Sequence, residues 1–176
     1  MVDETKEEGF EVIDEVEIGD LSGVKEQRNL IPAAKGVKFL IKKAEPKDNP
    51  DKTYRQINLQ LQLVDGIPTP QTESAYKGMT VFGRVCYYAD PSVYTKDFFK
   101  NKQHLVELKR LLDTVEVTDR TKVNDQLFSD LKGKLVMGDI LQKAGKPYTN
   151  AEGDEVMGEP QNEVVRFRAV PLEEQV

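Results

Sequence analysis

The chain has one cysteine, one histidine and no tryptophan. A lone Cys86 cannot form an intrachain disulfide and suits a reducing compartment, so the cytoplasm is the expected location. With His104 as the sole imidazole, neither a Cys/His dyad nor a histidine-bearing zinc site is expected. No apolar run approaches the roughly 18 residues of a membrane-spanning helix, and no membrane partner is expected. Residues 1–20 lack the basic start and apolar middle of a secretion signal. A phosphate-binding loop is also missing: residues 144–149, AGKPYT, have no upstream glycine and end in the wrong order. Residues 150–155, NAEGDE, set acids around a glycine without calcium-loop spacing and read as a turn. Acidic pairs such as Asp139 with Asp154 or Glu155 have only the abundance of acids behind them as a nuclease site. No enzyme activity, metal or cofactor is expected.

Charge is plentiful but unevenly placed. The whole chain carries −6, yet residues 1–20 hold nine acids and one lysine, and Glu173 and Glu174 add two more negative charges. Residues 21–172 are therefore a mildly basic body of +4. The expected organisation is an acidic flexible tail over 1–22, one domain over 23–172 and a short acidic end over 173–176. Dense acid is usually a solvated run. A sharper role for the tail is to compete with polyanions for the body's basic surface, or to dock a partner through Phe10, Val12, Ile13, Val16 and Ile18.

Period-2 patterning marks the strands. Residues 24–36 read as an irregular lead-in ended by Pro32 and Gly36. Val37, Phe39 and Ile41 then alternate with Lys38 and Lys42. Residues 45–53, with two prolines, an asparagine and two aspartates, predict a loop. Residues 56–66, QINLQLQLVDG, form an unbroken second strand in which every outward side chain is an uncharged amide. Residues 77–88 give a third strand, with Gly83 as its expected bulge or bend. Between Lys102 and Val115, apolar residues at 105, 108, 111, 112 and 115 predict an amphipathic helix. A shorter helix follows, capped by Asn124, with Leu127, Phe128 and Leu131 inward and Gly133 ending it. Strands return at 134–143 and 162–170, separated by a long loop with a small hairpin around 150–153. Three strands, a helical insert and two strands match the OB fold: mainly β, a five-stranded Greek-key barrel with a helical insert between strands three and four.

Four blocks carry a further resemblance: residues 30–45 (LIPAAKGVKFLIKKAE), 54–66 (YRQINLQLQLVDG), 130–143 (DLKGKLVMGDILQK) and 162–170 (NEVVRFRAV). Together they resemble the OB-fold single-stranded-DNA-binding proteins of bacteriophage replication and recombination. The chain departs from that family in its long acidic N-terminus and short acidic C-terminal end, so partner docking through acidic tails does not carry over. The resemblance implies sequence-independent binding and protection of single-stranded DNA, in the host cytoplasm if the chain is viral. Replication or recombination proteins and further copies of the chain are the implied candidate partners.

The residues point the same way. Strand binding without sequence preference needs cations along the phosphates and aromatic faces for the bases. Residues 86–102, CYYADPSVYTKDFFKNK, interleave both. Tyr87, Tyr88 and Tyr94 are the expected stacking rings and Lys96 a phosphate contact, while Phe98 or Phe99 would plug the barrel end or pin the helix. Further candidates are Lys38 and Lys42 on strand one, Tyr54, Arg55 and Gln60 on strand two, and Phe82 and Arg84 on strand three. Lys143 and Lys146 at the end of strand four, and Arg166 and Arg168 on strand five, complete them. Arg166 and Arg168, two apart, are expected on one strand face with Val165, Phe167 and Ala169 on the other. Gln56, Asn58, Gln60 and Gln62 would floor the groove, offering hydrogen bonds without the repulsion a carboxylate brings near phosphate. The competing reading is a β-barrel protein-interaction or assembly module with no nucleic-acid role.

Overall fold

A computed structural model describes residues 30–117 and 122–172. The acidic stretches over 1–22 and 173–176 lie outside the described residues, as do the roles expected of them. The element order is β1 (Ala34–Asp48), β2 (Tyr54–Leu63), β3 (Thr80–Ala89), a 3-10 segment (Lys100–Leu105), α1 (Val106–Val115), α2 (Asp125–Leu131), β4 (Leu135–Lys143), β5 (Pro147–Thr149), β6 (Glu155–Met157) and β7 (Gln161–Arg168). Five strands close a barrel in the order β1-β2-β3-β7-β4, with β3 and β7 parallel and the other pairs antiparallel. This is the OB-fold barrel, and β5 and β6 form a separate two-stranded ribbon between its last two strands. Among the described residues no helix is long and apolar enough to cross a membrane.

Alternation decides which side chains fill the barrel. Ile57, Leu59, Leu61 and Leu63 are fully buried, and Val37, Phe39 and Ile41 join them from β1. Val85, Val136, Ile140, Val164 and Phe167 complete the wall. Leu111, Leu112 and Val115 of α1, with Leu127 and Leu131 of α2, pack into the same cluster. Each such side chain contributes roughly 1.5–3 kcal/mol on burial. The second helix starts as expected: Asn124 Oδ1 accepts from the Leu127 amide at 3.0 Å.

Four expectations shift. β1 does not stop before Pro46 but continues to Asp48, pairing Pro46 with Ile57. Beyond Leu40 it has β2 as its only barrel neighbour, the place in a sheet where a residue without an N–H is tolerated. The loop is thus only residues 49–53, tied by Asn49, whose Oδ1 accepts from the Tyr54 amide at 2.9 Å and whose Nδ2 donates to Thr53 Oγ1 at 2.7 Å. α1 starts four residues late, because Asn101 and Lys102 sit at φ 55° and 54° and break the helical run. The hairpin is longer than residues 150–153, spanning Pro147 to Met157. Finally, Gly83 is not a bulge; the register shift in β3 falls near Tyr87 instead.

Gly83 serves closure. It pairs with Val164 where β3 meets β7, and a Cβ there would stand 2.8 Å from Phe167 Cζ. Across the barrel, a Cβ on Gly138 of β4 would lie 2.6 Å from Val164 Cγ1. Two missing side chains thus admit Val164 and Phe167. Gly83→Ala and Gly138→Ala are each expected to cost about 1–3 kcal/mol by overpacking, measured by urea unfolding. Pairing Gly83→Ala with Phe167→Leu should recover part of the loss, and strict additivity of the two would show that the close approach is not the cause.

Candidate nucleic-acid interface

The outer wall of β1, β2 and β3 follows from the same alternation. Register sets three rows across it: Lys43, Gln60 and Phe82; Glu45, Asn58 and Arg84; Lys47, Gln56 and Cys86. Phe82 is 47% exposed at the β3 end of the first row. Arg84 beside it is exposed and makes no ion pair among the described residues. The one acid in these rows, Glu45, is held by Lys43 Nζ at 2.6 Å, and that contact lowers its carboxyl pKa. The wall therefore presents an apolar ring, neutral amides and cations, with the only carboxylate of these rows already partnered.

At the β2 start the wall ends in an aromatic cluster. Cys86 is buried but lies outside the barrel's apolar cluster, and its thiol donates to the Tyr88 carbonyl at 3.6 Å. Burial raises the pKa of both the Tyr54 hydroxyl and the Cys86 thiol, so both stay neutral. The Tyr54 ring lies 6.0 Å from Tyr94, and Tyr94 stacks on Phe98 at 4.5 Å. Phe98 in turn meets Phe99 at 5.2 Å, and both meet His104. Neither phenylalanine enters the barrel core; they pin the 3-10 segment that leads into α1.

The expected site residues are divided by the fold. Gln60, Phe82 and Arg84 come together on the wall, and Tyr54 and Tyr94 at its end. Tyr88 is 43% exposed opposite Arg55. Lys42 occupies the β1 bulge and Lys96 the segment between Tyr94 and Phe98; both are exposed and carry no ion pair among the described residues. Tyr87 and Arg55 are engaged elsewhere. Tyr87 donates from its hydroxyl to Asp48 Oδ1 at 3.3 Å, Arg55 Nε donates to Asp48 Oδ2 at 3.1 Å, and the guanidinium lies 5.3 Å from the Tyr87 ring centre. Burial, then the Asp48 charge, raises the Tyr87 pKa. Lys38 is mostly covered and pairs with Asp65 at 3.1 Å. Lys143 pairs with Glu163 at the root of the β5–β6 ribbon, where Lys146 is exposed. Lys47 and the exposed Tyr148 were not among the candidates. The first was lost with the extension of β1, and the second with the short hairpin.

Arg166 and Arg168 stand apart, on Asp139 of β4. Asp139 is only 4% exposed and accepts from the Gly36 amide at 2.9 Å, Arg168 Nη2 at 2.9 Å and Arg166 Nη1 at 3.2 Å. The two arginines are both turned outward, as expected, and meet on one acid, but the inward residues are Val164 and Phe167, with Val165 only half-buried and Ala169 exposed. Two residues between inward positions require a bulge, which the β4–β7 register shows, and Arg166 takes φ 57° within it. No protein-family model and no curated protein matches the chain.

For Asp139, burial pushes the carboxyl pKa up, but the Gly36 amide and the two guanidiniums outweigh it and the net direction is down from 3.8. A depressed folded pKa contributes stability that is present above the unfolded value and lost as pH falls through the folded one. Asp139→Asn should therefore cost about 1–3 kcal/mol at neutral pH and flatten the loss of stability below pH 3.8. Urea midpoints between neutral pH and the acid limb check this; an unchanged acid limb in the variant would remove Asp139 from the account.

Proposed function

We propose that the chain binds single-stranded DNA without sequence preference, along the outer wall of β2 and β3, and protects strands during phage replication or recombination. The observation that carries this reading is Phe82, an apolar ring nearly half exposed on the wall, set between neutral amides and the unpaired Arg84. A base stacked on that ring would remove its face from water, at roughly 1–3 kcal/mol per base. Arg84, Lys42, Lys47 and Lys96 would meet the phosphates, releasing counterions and making affinity salt-dependent. The amides of Gln56, Asn58 and Gln60 would satisfy sugar and base edges without selecting one base. An OB barrel offers this face as its usual ligand surface.

Tyr54 and Tyr94 have a different part in this mechanism. Tyr54 packs on Tyr94 and Tyr94 on Phe98, so they brace the wall's end and would offer edges to an incoming base. Fluorescence anisotropy with a labelled oligo-dT of about 30 nucleotides, against its duplex, tests the reading. Tight, salt-sensitive preference for the single strand is expected, with Phe82→Ala weakening it about 5- to 100-fold and Phe82→Tyr retaining it. Arg84→Gln should make the dependence of log affinity on log salt shallower by about 0.7. A folded Phe82→Ala that binds like the parent would displace the site from this wall, and equal affinity for duplex would overturn the single-strand reading.

A further inference from the structure

In a five-strand ring ordered β1-β2-β3-β7-β4, the strand opposite the β2–β3 seam is β4. On its outer face Asp139 is covered by Arg166 and Arg168, and Lys35 is exposed beside them. Three cations surround one carboxylate, which leaves a local excess of two positive charges. Asp139 takes only part of the donor set. Arg166 spends one N–H on it, and Arg168 one on it and one on the Arg166 carbonyl at 2.9 Å, out of five on each guanidinium. Both side chains stay about half exposed. A depression of about 190 Å³ lies against Lys35, Asp139 and Arg166, floored by Ala34 and Ile140.

The arrangement is also rigid. The β7 bulge holds Arg166 at φ 57°, a conformation that costs a non-glycine residue about 1–2 kcal/mol, and the Asp139 bonds fix both forks before any ligand arrives. An Arg fork held in place by a buried carboxylate, with spare N–H groups facing outward, suits the oxygens of a phosphate. The β5–β6 ribbon at the other end of the β4–β7 ladder carries exposed Glu152, Asp154 and Glu155 and repels one.

We infer that Lys35, Arg166 and Arg168 form a second phosphate-contacting site on the outer face of β4, engaged by a single strand long enough to pass round the barrel from the β2–β3 wall. This rests on the single-strand reading above and extends it from one face to a path. Strands short enough to occupy the wall alone do not reach the site.

The test uses the full chain with oligo-dT of about 6 and about 30 nucleotides, spanning the range of OB-fold site sizes. Lys35→Gln is expected to weaken the longer strand about fivefold at ~0.1 M salt, with a salt slope shallower by about 0.7, and to leave the shorter one unchanged. Arg166→Gln should act in the same length-selective way. Since it also disturbs Asp139, Lys35→Gln, which touches no partner among the described residues, decides the matter if that variant unfolds. Unchanged affinity of Lys35→Gln for the longer strand, or an equal loss at both lengths, would overturn the inference. Phe82→Ala separates the two claims. Loss at both lengths with Lys35→Gln silent removes the β4 site alone, whereas a silent Phe82→Ala with a length-selective Lys35→Gln removes the wall site alone.

Discussion

The close approach of β7 to β3 and β4 is the constraint on which the remaining features rest. Val164 and Phe167 both point into the barrel, and both need space that a side chain at Gly83 or Gly138 would fill. Admitting two inward residues three apart forces a bulge between them, and the bulge turns Arg166 and Arg168 onto Asp139. Closure, the β7 bulge and the pairing of Asp139 with the two arginines are thus one solution to one packing problem. The ion pair in turn receives the Gly36 amide, which anchors the start of β1 where it pairs with β4.

Closure also creates the wall. With the barrel sealed, the alternation of β2 has only one outlet for its polar members, and Gln56, Asn58, Gln60 and Gln62 face outward by necessity. The bulge in β1 after Ile41 shifts Lys43, Glu45 and Lys47 onto the same side as those amides, and the register of β3 adds Phe82 and Arg84. A large apolar ring on the outer side of a sealed barrel contributes nothing to the core. Its neighbours are neutral or cationic, with the nearest acid satisfied by Lys43.

The aromatic residues illustrate how packing assigns roles that composition cannot. Of the interleaved rings between residues 86 and 102, Tyr94, Phe98 and Phe99 bind one another and His104, Tyr87 is held by Asp48 and Arg55, and Tyr88 is left open. Mutual stacking adds to the short three-residue backbone turns that hold the irregular connection before α1, where Asn101 and Lys102 leave the right-handed helical region. A segment with the composition of a binding loop is thereby partly a strut, and Phe82, the ring left open on the outer wall, sits on β3 outside that segment.

Local pattern was enough for the strand and helix order, for the inward set Ile57, Leu59, Leu61 and Leu63, for the Asn124 cap and for the outward amides, because period and capping are properties of neighbouring residues. The OB architecture followed from that order. Three kinds of fact were decided only by the tertiary structure. Pro46 remains in a strand because β1 is an edge there, which depends on where β4 ends its pairing. Gly83 and Gly138 are required by side chains about 84 and 26 residues away, a spacing no local window contains. Charges of identical type diverged, with Arg84 left open, Arg55 and Lys38 paired, and Arg166 and Arg168 drawn to an acid on another strand, because the partner of an ion pair is chosen by the fold that brings it within reach.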